Sequence, residues 1–128
     1  MAEAPLVDRD VEAGLELLKL LDARSFSFTG AAWIYFPDIE EWKLVIRTVE
    51  AGKDLNKAYL DLANAMDSKP GFRSQFDLSR VKLVPPNDRM LAAMGRMVRA
   101  EGLNRIRFSR NVINGILIDD ALIYRLAA

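Results

Sequence analysis

Ala31-Ala32-Trp33-Ile34-Tyr35-Phe36, then Pro37-Asp38-Ile39-Glu40-Glu41, then Trp42-Lys43-Leu44-Val45-Ile46-Arg47-Thr48 is the stretch that decides the fold. Two short runs rich in aromatic and branched residues flank a five-residue loop with turn chemistry at its start, which predicts a β-hairpin. Pairing Phe36 with Trp42 sets Ile34 opposite Leu44 and Ala32 opposite Ile46, and these six residues form an apolar core face. The same register places Tyr35, Trp33 and Ala31 against Lys43, Val45 and Arg47, a face that mixes aromatics with cations.

A second hairpin is expected from Asn104 to Leu126, because Asn114-Gly115 supplies the positive φ angles of a type I′ turn. With Ile113 opposite Ile116, one face gathers Ile106, Phe108, Val112, Leu117, Ala121 and Ile123, with Arg110 facing Asp119 among them. The reverse face sets Arg105, Arg107, Ser109 and Asn111 against Ile118, Asp120, Leu122 and Tyr124. The dipeptide Asp119-Asp120 is unfavourable inside a strand and points to a bulge or a second turn there.

Three helices fill the gaps. Asp8 or Asp10 caps the first, which runs to about Ala23 with Val11, Leu15, Leu18 and Leu21 at helical spacing. Asp10, Glu12, Glu16 and Asp22 make its outer surface acidic. Asp54 caps the second, whose apolar stripe is Leu55, Ala58, Tyr59, Leu62 and Met66 and which stops at Ser68-Lys69-Pro70-Gly71. Residues 76–84 read as a third strand with Val81 and Leu83 inward. Asn87 caps the third helix, which ends before Gly102 and carries Met90, Met94 and Met97. The order α-ββ-α-β-α-ββ predicts a single α+β domain over residues 1–128, in which one mostly antiparallel sheet of about five strands packs with three helices.

The 128 residues include no cysteine and no histidine. That removes the usual zinc ligands and the base of Ser-His-Asp and Cys-His catalysis. No glycine-rich phosphate loop occurs, so no cofactor is expected. Met1 to Leu6 carries an acid and no apolar run, no stretch is apolar enough to span a bilayer, and the cytoplasm is the default expectation. The net charge is zero but divided. Residues 1–70 hold 8 Lys/Arg and 13 Asp/Glu, a net −5, while residues 71–128 hold 10 and 5, a net +5. The division suits either an anionic partner for the second half or attraction between the halves within one fold.

Several constellations bear on function. Pro37-Asp38 with Glu41-Trp42-Lys43 superficially matches the carboxylate–lysine pattern of metal-dependent nucleases, but the two parts lie too close for that geometry and read as a polar turn. Asp119-Asp120 offers oxygen ligands for a divalent cation, yet strand neighbours point to opposite faces. The methionines read as core or as an adaptable partner surface. The arginines of residues 96–110 can hold phosphate or a carboxylate, or can pair within the chain. The candidate binding face comprises Trp33, Tyr35, Lys43, Arg47, Arg96, Arg99, Arg105, Arg107 and Tyr124. The leading expectation is a non-enzymatic interaction protein that works through a protein partner or as a homodimer. Nucleic-acid binding through the arginine-rich half and the aromatic–basic face stands second, and an enzyme relying on carboxylates third.

Overall fold

The computed structural model describes residues 5–113 and 115–127, with Arg110 and Asn111 described as backbone only. Its elements are α1 (Asp8–Ala23), β1 (Gly30–Phe36), β2 (Glu41–Arg47), α2 (Val49–Lys53), α3 (Leu55–Asp67), α4 (Phe72–Gln75), a 3₁₀ turn (Leu78–Arg80), β3 (Val81–Val84), α5 (Arg89–Met94), β4 (Ile106–Ile113) and β5 (Ile116–Leu126). The strands form one sheet in the order β3-β2-β1-β5-β4. The α+β architecture follows the expected order, with two short helices, α2 and α4, added around α3. Three of the four strand pairings are antiparallel, and β2–β3 is parallel. A parallel neighbour needs a crossover, and the α2–α4 segment supplies it.

The first hairpin pairs one residue out of the expected register. Trp33 faces Leu44, Tyr35 faces Trp42, and Phe36 faces Glu41. The loop has four residues, closed by the Ile39 and Glu40 amides donating to Phe36 and Pro37, with Glu40 at φ 51°. A one-residue shift turns one strand over relative to the other. Here it sorts the side chains better: Ala31, Trp33, Tyr35, Trp42, Leu44 and Ile46 all enter one apolar cluster with α1, α3 and α4. Ala32, Ile34 and Val45 join α5 and the tail hairpin in a second cluster on the opposite side of the sheet. The aromatic–cationic face expected from the other register does not form.

The tail hairpin keeps its expected register, from Ile113 opposite Ile116 to Ile106 opposite Ile123. Its ladder runs through Ser109 and Asp120 without a second turn, and the sheet's irregularity lies instead between Ala31 and Ala32, where β1 meets β5. Gly115 takes φ 78°, as the turn requires. Asn114 and the Arg110 side chain, on which the expected pair with Asp119 depends, lie outside what is described.

Helix ends differ in detail. No side chain caps α1, and Asp8 and Asp10 occupy its first turn, where carboxylates complement the helix dipole. Asp54 caps α3 as expected, accepting from the Lys57 amide at 3.1 Å. Asp88, not Asn87, caps α5, because the Asp88 amide first closes a turn onto Pro85. The helix then stops at Met94, well short of Gly102. The third strand is also short, since Asp77 caps the 3₁₀ turn that precedes Val81.

The tie between α1 and the sheet is polar and buried. Trp33 Nε1 donates to Tyr124 Oη at 3.0 Å, and Tyr124 Oη donates to the Val11 carbonyl at 2.6 Å. A Cβ on Gly14 would sit 2.8 Å from both Trp33 Nε1 and Tyr124 Oη, so this helical position admits only glycine without rearrangement. Burial pushes the Tyr124 phenol well above the ordinary tyrosine range, and the Trp33 hydrogen bond offsets only part of this.

Tyr124→Phe leaves the Trp33 N–H and the Val11 carbonyl without that partner and is expected to cost about 1–3 kcal/mol, read from urea denaturation midpoints. The raised pKa also sets a sign. The unfolded phenol ionises near pH 10 while the folded one stays neutral, so stability is intact below about pH 10 and falls as pH rises further. Alkaline denaturation should show that decline in the native chain and a shallower one in Tyr124→Phe.

Candidate interaction surface

The nine residues of the expected binding face go to three different environments. Trp33, Tyr35 and Tyr124 are interior, with the Tyr35 and Trp42 rings 5.6 Å apart inside the first cluster. Arg47 is only 8% exposed. Its Nε donates to Thr29 Oγ1 at 3.0 Å, and its Nη2 donates to the carbonyls of Thr29 and Ala127, binding the sheet to the end of the chain. Burial pulls the Arg47 pKa below its ordinary value, opposed by the nearby Asp88 carboxylate. Lys43 donates to the Ser79 carbonyl at 2.8 Å and pairs with Glu41 at 3.4 Å. Arg105 pairs with Glu12, and Arg107 grips Asp120 with both Nε and Nη2. Arg96 and Arg99 are exposed and make no ion pair among the described residues.

The divided charge resolves largely inside the fold. Each acid expected on the outer surface of α1 meets a cation from later in the chain: Asp10 with Arg80, Glu12 with Arg105, Glu16 with Lys69, and Asp22 with Arg125. Arg80 also lies 4.7 Å from the centroid of Trp33, and Arg125 4.4 Å from that of Phe28, so both cations stack on rings while they pair. Three of the ten cations in the second half, Arg80, Arg105 and Arg125, are thus engaged with one helix of the first.

The remaining motifs are dispersed over the fold. Asp38 sits exposed in the turn and Glu41 is tied to Lys43. Asp120 is nearly buried, held by Arg107 and by the Ser109 hydroxyl at 3.3 Å. No group of three or more candidate ligands for a metal ion occurs among the described residues. Met94 is fully buried in the second cluster, while Met97 projects into solvent. Among the described residues no helix is long and apolar enough to cross a membrane.

Two surface features were not anticipated. One is a cleft of about 410 Å³ between the end of α1 and the α2–α3 helices, lined by Arg24, Ser25, Glu50, Lys57, Asp61 and Asn64 among others. Ser25 stands there at φ 60°, a left-handed conformation uncommon outside glycine. The cleft's two cations and two acids balance, and Lys57 spans to Asp61 at 3.1 Å.

The other feature is the β4–β5 ribbon. The β1–β5 ladder ends at Ala121, whereas β5 begins at Ile116. Residues 116–120 therefore pair with β4 alone, and the ribbon overhangs the sheet. At its tip Val112 and Leu117 face each other across the strands, exposed by 68% and 52%. They were expected in the core face that Ile106, Phe108, Ala121 and Ile123 do occupy. Among the described residues β4 has no strand on its outer side. The pairing of Val112 with Leu117 was readable from the turn, but nothing local in sequence marks how far along β5 the ladder with β1 runs.

Because Arg96 and Arg99 are exposed and make no ion pair among the described residues, Arg96→Ala with Arg99→Ala should change stability by less than about 0.5 kcal/mol. Asp120→Ala removes a nearly buried carboxylate that accepts from Arg107 and from the Ser109 hydroxyl, and should cost about 1–3 kcal/mol by the same denaturation measurement. No family model, no curated protein and no solved structure matches this chain.

Proposed function

We propose that this chain is an interaction protein whose docking site is the outer edge of β4 together with the apolar tip of the β4–β5 ribbon. Its ligand is an extended polypeptide strand, added to the sheet through main-chain hydrogen bonds. The observation that carries the reading is the contrast between the sheet's two edges. β3 has only four residues, points Lys82 outward, and is followed at once by Pro85 and Pro86. Those are the devices by which natural sheets prevent edge pairing. β4 has eight residues and no proline, and of its two arginines Arg107 is turned onto Asp120 of the neighbouring strand. Its tip adds an exposed apolar pair, where a solvated edge is ordinarily charged.

The geometry favours this reading over nucleic-acid binding. Stacking on single strands needs aromatic faces at the surface, and Trp33, Tyr35 and Tyr124 are enclosed.

The test places a photo-crosslinking residue at Leu117 and, separately, at Leu60, an equally exposed apolar position on α3. The full chain is then irradiated in cells. A discrete adduct is expected from Leu117 and not from Leu60, and it should vanish in Val112→Pro, which removes an outward-facing amide at an edge position where proline is tolerated. An adduct pattern shared by both positions, an adduct that survives Val112→Pro, or no adduct from Leu117 would overturn the proposal. Circular dichroism melts confirm that each variant is folded.

A further inference from the structure

We infer that the strand received by β4 is β4 of a second copy, paired antiparallel about a twofold axis at Ser109, so that two five-stranded sheets become one of ten. The inference rests on the docking site proposed above and names its occupant.

In a two-residue hairpin the pair that closes the loop exchanges both hydrogen bonds, and bonded and non-bonded pairs then alternate along the ladder. The closing pair here is Ile113–Ile116, so residues 113, 111, 109 and 107 direct their amides and carbonyls to β5. Residues 106, 108, 110 and 112 direct theirs outward. A partner strand is bonded fully only if its own outward residues meet these four.

For two identical antiparallel strands this condition leaves few registers. An axis at Ser109 sets Ile106 opposite Val112 of the second copy and Phe108 opposite Arg110, and each of the four outward residues then donates one bond and accepts one. Apolar Ile106 meets apolar Val112 at both ends of the interface. On the alternate positions Arg107 falls opposite Asn111, and Ser109 opposite itself. An axis at Arg110 or at Arg107 sets an arginine directly against its own copy, which is unfavourable. An axis at Phe108 moves Val112 opposite Asn104, outside the strand. The eight-residue strand is therefore self-complementary in one register, with its only self-facing position occupied by a small uncharged residue. A closed twofold also consumes the edge completely and leaves no open end for further growth.

The absence of cysteine from the 128 residues makes the register directly testable. Ser109 would face Ser109 of the second copy as a non-bonded pair, where Cα atoms lie about 4.5 Å apart, inside the range a disulfide spans. In Ser109→Cys, Asp120 keeps its two bonds from Arg107, so the hairpin retains its main side-chain tie. Under mild air oxidation Ser109→Cys should convert to a covalent dimer, whereas Val112→Cys, placed opposite Ile106, should convert at least tenfold more slowly. Light scattering coupled to size exclusion should report the native chain as a dimer and Val112→Pro as a folded monomer.

A native chain that stays monomeric from micromolar to millimolar concentration overturns the inference, as does equal crosslinking of the two cysteine variants. If the chain is monomeric while Leu117 still crosslinks to a different polypeptide, self-pairing fails and the docking reading stands. If neither association is seen, both fail.

Discussion

Everything in the first core depends on one chain of hydrogen bonds, from Trp33 through Tyr124 to the backbone of Val11. Indole N–H and phenol O–H groups are costly to bury alone. By bonding to each other and then to a helix carbonyl, they allow the largest fully buried side chains of the protein to lie between helix and sheet. The arrangement fixes three elements at once: β1 through Trp33, β5 through Tyr124, and α1 through Val11. Gly14 follows as a consequence, because the two polar atoms occupy the space its side chain would need. So does the register of the first hairpin. Only the observed pairing turns Trp33 towards α1 together with Leu44 and Ile46, and it leaves Lys43 and Arg47 to the other parity of β2.

Around that tie the charges act as local fasteners. Four acids along α1 are matched by four cations drawn from residues 69 to 125. Exposed ion pairs contribute little individually, about 0–1 kcal/mol. Their value here is orientational, since Arg80 and Arg125 also cover Trp33 and Phe28 and shield ring faces at the rim of the core. Arg47 does a comparable task on the opposite side. Its fork joins Thr29 to Ala127, so the first and last strands are held at the same corner of the sheet.

What was legible in sequence follows from how local each signal is. The second hairpin was read to the residue, because Asn114-Gly115 dictates a two-residue turn and the turn dictates the register. The helix α3 was readable from Asp54 to Asp67 for the same reason: cap, stripe and stop are all local. The first hairpin failed by one residue because Pro37-Asp38-Ile39-Glu40 closes as a four-residue loop only when Glu40 adopts a left-handed conformation, which its identity does not announce. That small error moved Trp33 and Tyr35 from core to surface and produced the aromatic–basic face. The short α5 had a similar cause. Pro85-Pro86 marked the neighbourhood of the helix start, but the Asp88–Pro85 turn that sets the cap is a matter of backbone geometry. The candidate docking edge was wholly non-local, since an edge is defined by strands that do not follow it.

The overhang of the tail ribbon raises a question of cost. An isolated two-stranded ribbon is marginal in water, and this one extends past the β1–β5 ladder by the five residues Ile116 to Asp120 on its inner strand. Support comes from within the chain: Ile118 is buried in the second cluster, Ile113 and Ile116 lean on it, and Arg107 holds Asp120 on the opposite face. Val112 and Leu117 remain in solvent, and among the described residues no strand meets the outer side of β4. A sequence that blunts its other edge with Lys82, Pro85 and Pro86 has the means to blunt this one, and a single proline or lysine at an outward position would do so. Leaving β4 long and unblocked, beside an exposed apolar pair, costs solubility and returns nothing to the isolated fold. The arrangement makes physical sense if the edge is covered in use, and self-complementarity about Ser109 makes an identical strand the covering that requires no further ingredient.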